Sequence, residues 1–80
     1  PMVHQYLATP RRGRKTDITP PAQLLAQFAQ AAQHISDVTN ISVRKASVVF
    51  SATPDALNKL RAQFGAAFII EPERHLDPLA

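Results

Sequence analysis

Eighty residues suffice for one domain around one apolar core, and the absence of cysteine excludes disulfide bridges and thiolate metal sites as staples for it. The formal charge of +3 is unevenly spread: residues 1–45 hold Arg11, Arg12, Arg14, Lys15, Arg44 and Lys45 against Asp17 and Asp37, while residues 46–80 hold Lys59, Arg61 and Arg74 against Asp55, Glu71, Glu73 and Asp77, so the two halves offer a partner different fields. No apolar run approaches the roughly 20 residues that cross a bilayer and no basic flank leads into an apolar signal core, so a soluble chain with no membrane partner is expected.

The chain opens on Pro1, which suggests a processed or excised product. "MVHQYLAT" (2–9) mixes Val3, Tyr6 and Leu7 with polar residues and stops at Pro10, as a first strand would. "PRRGRKTDIT" (10–19) follows as a loop. Thr19 is expected to cap a helix whose first positions take Pro20 and Pro21, and Leu24, Phe28, Ala31 and Ile35 recur at helical spacing. "VTNISVRKASVVFSAT" (38–53) reads as two β-rich runs joined into a hairpin near Arg44 to Ala46. Thr53-Pro54-Asp55 starts a second helix with a cap, a proline at the first position and an acid at the positive end of the dipole. Leu57, Leu60 and Phe64 define its apolar face, and Gly65 is expected to be its left-handed stop. "AAFII" (66–70) closes the series as a short strand, apolar on both faces.

The order β-α-β-β-α-β predicts an α+β domain over residues 1–80 with the ferredoxin-like arrangement, a four-stranded antiparallel sheet with two helices on one face. The other face stays open. Val48-Val49-Phe50 and Phe68-Ile69-Ile70 are apolar at consecutive positions, so some of their side chains must point to that open side. An uncovered apolar face expects a partner, although single apolar groups on a surface are ordinary.

Catalytic chemistry is missing from the pattern. His4, His34 and His75 fall into no triad and no metal spacing, and Gly13 and Gly65 make no phosphate-cradling loop. The expectation is no enzyme, no cofactor and no metal. "RRGRK" (11–15) is the one dense basic run, able to contact phosphates or to serve as a solvated loop. A sheet of this kind can stack RNA bases on aromatics of its central strands, but only Tyr6 and Phe50 are available there, and "RKASVVFS" lacks the glycines of the usual signature. A small nucleic-acid-binding module using loop 11–15 is therefore the second reading, and a plain protein-interaction domain using the sheet face is a third.

The end of the chain is more specific. In Glu71-Pro72-Glu73 two carboxylates stand two residues apart directly after the last strand, so in an extended chain both project to one side. Placed so, they suit the N-terminal ends of helices, where unpaired N–H groups and the dipole favour an anion; they also suit a solubilising end to the sheet. Residues 71–80 are expected to make an extended C-terminal tail, the form that protease clefts bind by strand addition, and within it "RHLDPLA" (74–80) has no helical or sheet partner.

"ASVVFSATPDALNKLRAQFGAAFIIEPERHLDPL" resembles the end of the propeptide of subtilisin-like serine proteases: an apolar strand, a short helix with "ALNKL", then a strand carrying "IIEPE" in the pattern V/I-x-E-x-D/E before an extended tail. "YLATPRRG" is similar to the first strand and turn of such domains, and together the matches cover about half the chain. The resemblance implies an intramolecular chaperone and temporary inhibitor, joined to its protease or acting as a free inhibitor, monomeric when free, and secreted or periplasmic. It implies that the open face packs on two surface helices of the protease and that Glu71 and Glu73 cap their N-termini. His75, Leu76, Asp77, Pro78, Leu79 and Ala80 would enter the active-site cleft like a substrate, with Leu79 or Ala80 at the first specificity pocket.

Overall fold

The computed structural model describes residues 2–11 and 19–73. The elements run β1 (His4–Pro10), α1 (Pro21–Ala32), β2 (Val38–Val43), β3 (Val48–Ala52), α2 (Pro54–Phe64) and β4 (Phe68–Pro72). All pairings are antiparallel and the strand order is β2-β3-β1-β4, an α+β fold with the ferredoxin-like layout expected from the element order. The even-numbered residues Tyr6, Ala8, Val48, Phe50, Ala52, Phe68 and Ile70 of the three longest-paired strands are buried in one cluster with Leu25, Phe28 and Ala32 of α1 and Ala56 and Leu60 of α2. Both helices therefore cover the same face of the sheet.

Each helix start follows from its prolines. Pro20 takes φ −59° and ψ 142°, the extended conformation forced on a residue before proline, so α1 begins at Pro21. Thr19 is thereby one position too early to cap; no side chain does so, and the Pro20 carbonyl accepts from the N–H groups of Gln23 (3.0 Å) and Leu24 (3.1 Å). The buried stripe of α1 is Leu25, Phe28 and Ala32, with Leu24 and Ala31 at its margin and Ile35 packing from beyond the helix end. The expected stripe was thus rotated by one residue at two of its positions. In α2 the expected cap forms: Thr53 Oγ1 accepts from the Ala56 N–H at 3.3 Å, with Pro54 in the first turn and Asp55 beside it.

Gly65 is not a left-handed stop. It stays right-handed at φ −60° and ψ −25°, and its need for glycine is one of space, because a Cβ there would lie 2.5 Å from the Arg61 carbonyl oxygen. The left-handed positions are Asp37 (φ 69°) and Asn40 (φ 53°), residue types whose short polar side chains tolerate that region. Asn40 lies in a β-bulge: Thr39 faces Ser51 and Ser42 faces Val49, so Asn40 and Ile41 together oppose Phe50. The hairpin turn falls where expected, closed by the Arg44 N–H on the Ser47 carbonyl at 2.7 Å.

Phe28 is the hub of the core. Its ring lies 5.6 Å from Phe50, 4.8 Å from Phe64 and 4.9 Å from Phe68, tilted in each case, and Phe50 in turn lies 5.7 Å from Tyr6. One side chain of α1 thereby touches β3, β4 and the last turn of α2.

Both sheet edges are blunted. The Arg11 N–H bonds the Ala67 carbonyl and the Glu73 N–H bonds the Gln5 carbonyl, so the odd-numbered residues of β4 spend their backbone groups on β1. Phe68, Ile70 and Pro72 then turn theirs to the outer edge. Pro72 has no N–H to offer there, and the Ile70 carbonyl is taken by an Arg61 guanidinium nitrogen at 3.2 Å. On the opposite edge the bulge at Asn40 breaks the regular outer row of β2.

Two outcomes follow. Phe28→Ala is expected to cost about 3–5 kcal/mol, against a total near 4–12 kcal/mol for a domain of this size, and denaturant unfolding will show the midpoint lowered accordingly. Pro72→Thr combined with Arg61→Ala restores a donor and frees an acceptor on the outer row of β4, so sedimentation should reveal self-association that the unaltered chain lacks at the same concentration.

Candidate docking face of the sheet

With the even-numbered residues committed to the helices, the odd-numbered side chains of β1, β3 and β4 form the uncovered face. Two rows cross the whole sheet: Ser42, Val49, Leu7 and Glu71 in register, and Thr39, Ser51, Gln5 and Glu73 beside them. Thr9 and Ile69 pair next to the first row. Val49 and Ser51, on the inner strand, are buried; Leu7, Thr9 and Ser42 are half-buried; Ile69 is 44 % exposed. Within the strands this face has one charged side chain, Glu71, and Glu73 follows on the same side one position past the end of β4. The middle of the face is thus apolar and hydroxyl-bearing, and its charge is gathered at one corner.

The acid pair sits as the spacing predicts, with one correction. Glu71 and Pro72 belong to β4 rather than to a tail, because the strand runs to Pro72 and is extended by the bond from the Glu73 N–H to the Gln5 carbonyl at 3.0 Å. Pairing with β1 therefore holds the backbone of both acids rigidly. Glu71 is exposed and Glu73 half-buried, and neither carboxylate has a hydrogen bond or ion pair among the described residues. Leu7, Glu71, Pro72 and Glu73 line an open depression of about 540 Å³ at this corner. Two carboxylates with no partner among the described residues, beside an apolar floor, can accept N–H donors brought by another molecule.

Other candidates fall elsewhere. His75, Leu76, Asp77, Pro78, Leu79 and Ala80 lie outside the described residues, as do Arg12, Gly13, Arg14 and Lys15 of the basic run. Arg11, the first of that run, is anchored to the sheet rather than to a solvated loop: its N–H bonds the Ala67 carbonyl at 2.8 Å and its Nε the Gly65 carbonyl at 3.1 Å. Tyr6 and Phe50 point into the helix-covered core and are buried, so neither ring is available on the open face for a base to stack on. His4 is exposed on β1 and His34 is exposed just past α1. Among the described residues no three or more His, Asp or Glu side chains come together as a metal site would need, and no helix is long and apolar enough to cross a membrane.

Sequence reasoning named the acids and expected apolar groups of residues 48–50 and 68–70 on the open side, which Val49 and Ile69 supply, but missed Leu7, Thr9, Ser42 and Ser51 between them. The signal was present in the alternation Gln5, Leu7, Thr9 along β1, which separates the open side from Tyr6 and Ala8 once the strand is set.

Compared with protein-family models, with curated proteins and with solved structures, the chain matches none. The geometry itself yields a test. Since neither carboxylate has a partner among the described residues, Glu71→Ala with Glu73→Ala is expected to change unfolding free energy by no more than about 0.5 kcal/mol per site, as measured in a denaturant titration.

Proposed function

We propose that the chain is a propeptide-type inhibitor and intramolecular chaperone of a subtilisin-like serine protease, docking by its open sheet face and laying residues 74–80 in the active-site cleft. The observation that carries this reading is that one strand joins all three parts. β4 contributes Ile69 to the open face and Glu71 to its acidic corner, and its last ladder bond, at Glu73, immediately precedes the tail.

Each part then has a physical task. The accessible part of the floor, Leu7, Thr9 and Ile69 around the buried Val49 and Ser51, suits a flat contact with helices of the protease. Glu71 and Glu73 accept the unpaired N–H groups at the starts of those helices, where the dipole adds to the attraction. The seven residues 74–80 can span about 25 Å when extended, enough to lie along a substrate cleft as an added strand. The β1–β4 ladder fixes the backbone of both acids up to Glu73, the residue to which the tail is joined. A chain that binds the folded catalytic domain better than its unfolded form stabilises it by mass action, which is the physical content of the chaperone role. The blunted edges favour a face-on partner over strand addition at the side of the sheet.

The nucleic-acid reading has less support: the aromatic rings are buried, and the open face carries carboxylates where a phosphate backbone would lie.

Inhibition kinetics against a subtilisin-like protease test the proposal. The full chain should inhibit in the micromolar range or below, removal of residues 75–80 should weaken it strongly, and the double Glu71→Ala, Glu73→Ala variant should lose about 1–3 kcal/mol of binding while remaining folded. If full and truncated chains are equally inert against the cognate enzyme, the proposal fails; if truncation leaves binding intact, the sheet face acts without entering a cleft.

A further inference from the structure

At the start of β4, away from the acid pair, Arg11 and Arg61 line one depression of about 260 Å³ together with, among the described residues, Gly65, Phe68, Ile69 and Ile70. Both guanidinium groups are held in place by the backbone. Arg11 Nε donates to the Gly65 carbonyl at 3.1 Å, and its own N–H ties the chain to Ala67; Arg61, in the last turn of α2, donates to the Ile70 carbonyl at 3.2 Å. A guanidinium has five N–H donors, so each of these bonds leaves most of the fork uncommitted. No carboxylate among the described residues pairs with either group.

Two cations sharing a hollow repel one another. The carbonyl end of α2, worth about half a negative charge, offsets only part of that charge. An anion in the hollow would meet preset donors from two sides at little cost in side-chain ordering, since both forks are already tethered. A carboxylate has two oxygens and satisfies one fork; a phosphate monoester or free phosphate has three or more oxygens and a charge near −2, enough for both.

The geometry points to a phosphate-binding site formed by Arg11 and Arg61, taking inorganic phosphate or a phosphate group on a small molecule. It borders the open face through Ile69 but uses neither Glu71 nor Glu73, and it does not depend on the protease reading.

The test is an NMR titration of the full chain, following backbone amides and arginine Nε–H signals, at constant ionic strength. Inorganic phosphate, glucose 6-phosphate, acetate and chloride are the probes. Phosphate should produce saturable shifts at Gly65, Phe68, Ile69 and Ile70 and at both arginine Nε–H groups. Arg11→Gln and Arg61→Gln should each weaken binding by about tenfold or more, whereas Lys59→Gln, on the exposed side of α2, should leave it unchanged. Tighter binding of glucose 6-phosphate would assign the site to a carried phosphate group, and tighter binding of inorganic phosphate to the free ion. Amide dispersion in each variant separates lost binding from lost folding, and Arg11→Gln keeps the test decisive if Arg61→Gln does not fold. Shifts that fail to saturate, that acetate or chloride reproduces, or that Lys59→Gln weakens as much as the arginine variants do, would overturn the site.

Discussion

The contact of Phe28 with Phe50, Phe64 and Phe68 is the constraint on which the rest of this domain depends. A domain this small has room for one cluster of large side chains, and here a single ring from α1 reaches both an inner and an outer strand and the end of the second helix. Tilted aromatic packing at these separations adds to simple burial. Because the cluster lies entirely on one side of the sheet, it decides which half of every strand is inside and leaves the other half to be used otherwise.

That one-sidedness shapes the functional surface. A four-stranded sheet with helices on one face has three exposed backbone features: two edges and a face. Pro72 and Arg61 blunt one edge and the bulge at Asn40 breaks up the other, so strand-to-strand association is disfavoured at both. The face remains, with Val49 and Leu7 in its middle and Glu71 and Glu73 at a corner. The last described residue, Glu73, lies at that corner rather than in the middle of the face, and the inhibitor proposal uses this placement.

Charge is also arranged along β4. Its start lines a hollow with Arg11 and Arg61, Glu71 and Glu73 stand at and just past its end, and only two residues separate Phe68 from Glu71. Opposite fields so close together orient a charged partner more than they hold it, since such steering depends on direction as well as strength. The strand is therefore an edge of the sheet, a part of its open face and the wall of a cationic hollow at once.

Much of this was legible from the chain alone. Period-two and period-3.6 patterns determined the number, type and order of the elements, and Thr53-Pro54-Asp55 determined a helix start down to its capping oxygen, because capping is decided within four residues. The spacing of Glu71 and Glu73 likewise determined that they share a side, since alternation along an extended chain is local geometry. Tertiary structure decided what local rules leave open. Phe28, rather than any other residue of the α1 stripe, became the hub because the aromatics of three other elements converge on it. Strand β4 ran on through Pro72 because β1 offered it partners as far as Gln5. Left-handed backbone fell to Asp37 and Asn40 instead of Gly65 because the turn into β2 and the bulge opposite Phe50 require it, and a pairing register exists only once strands distant in the sequence have met.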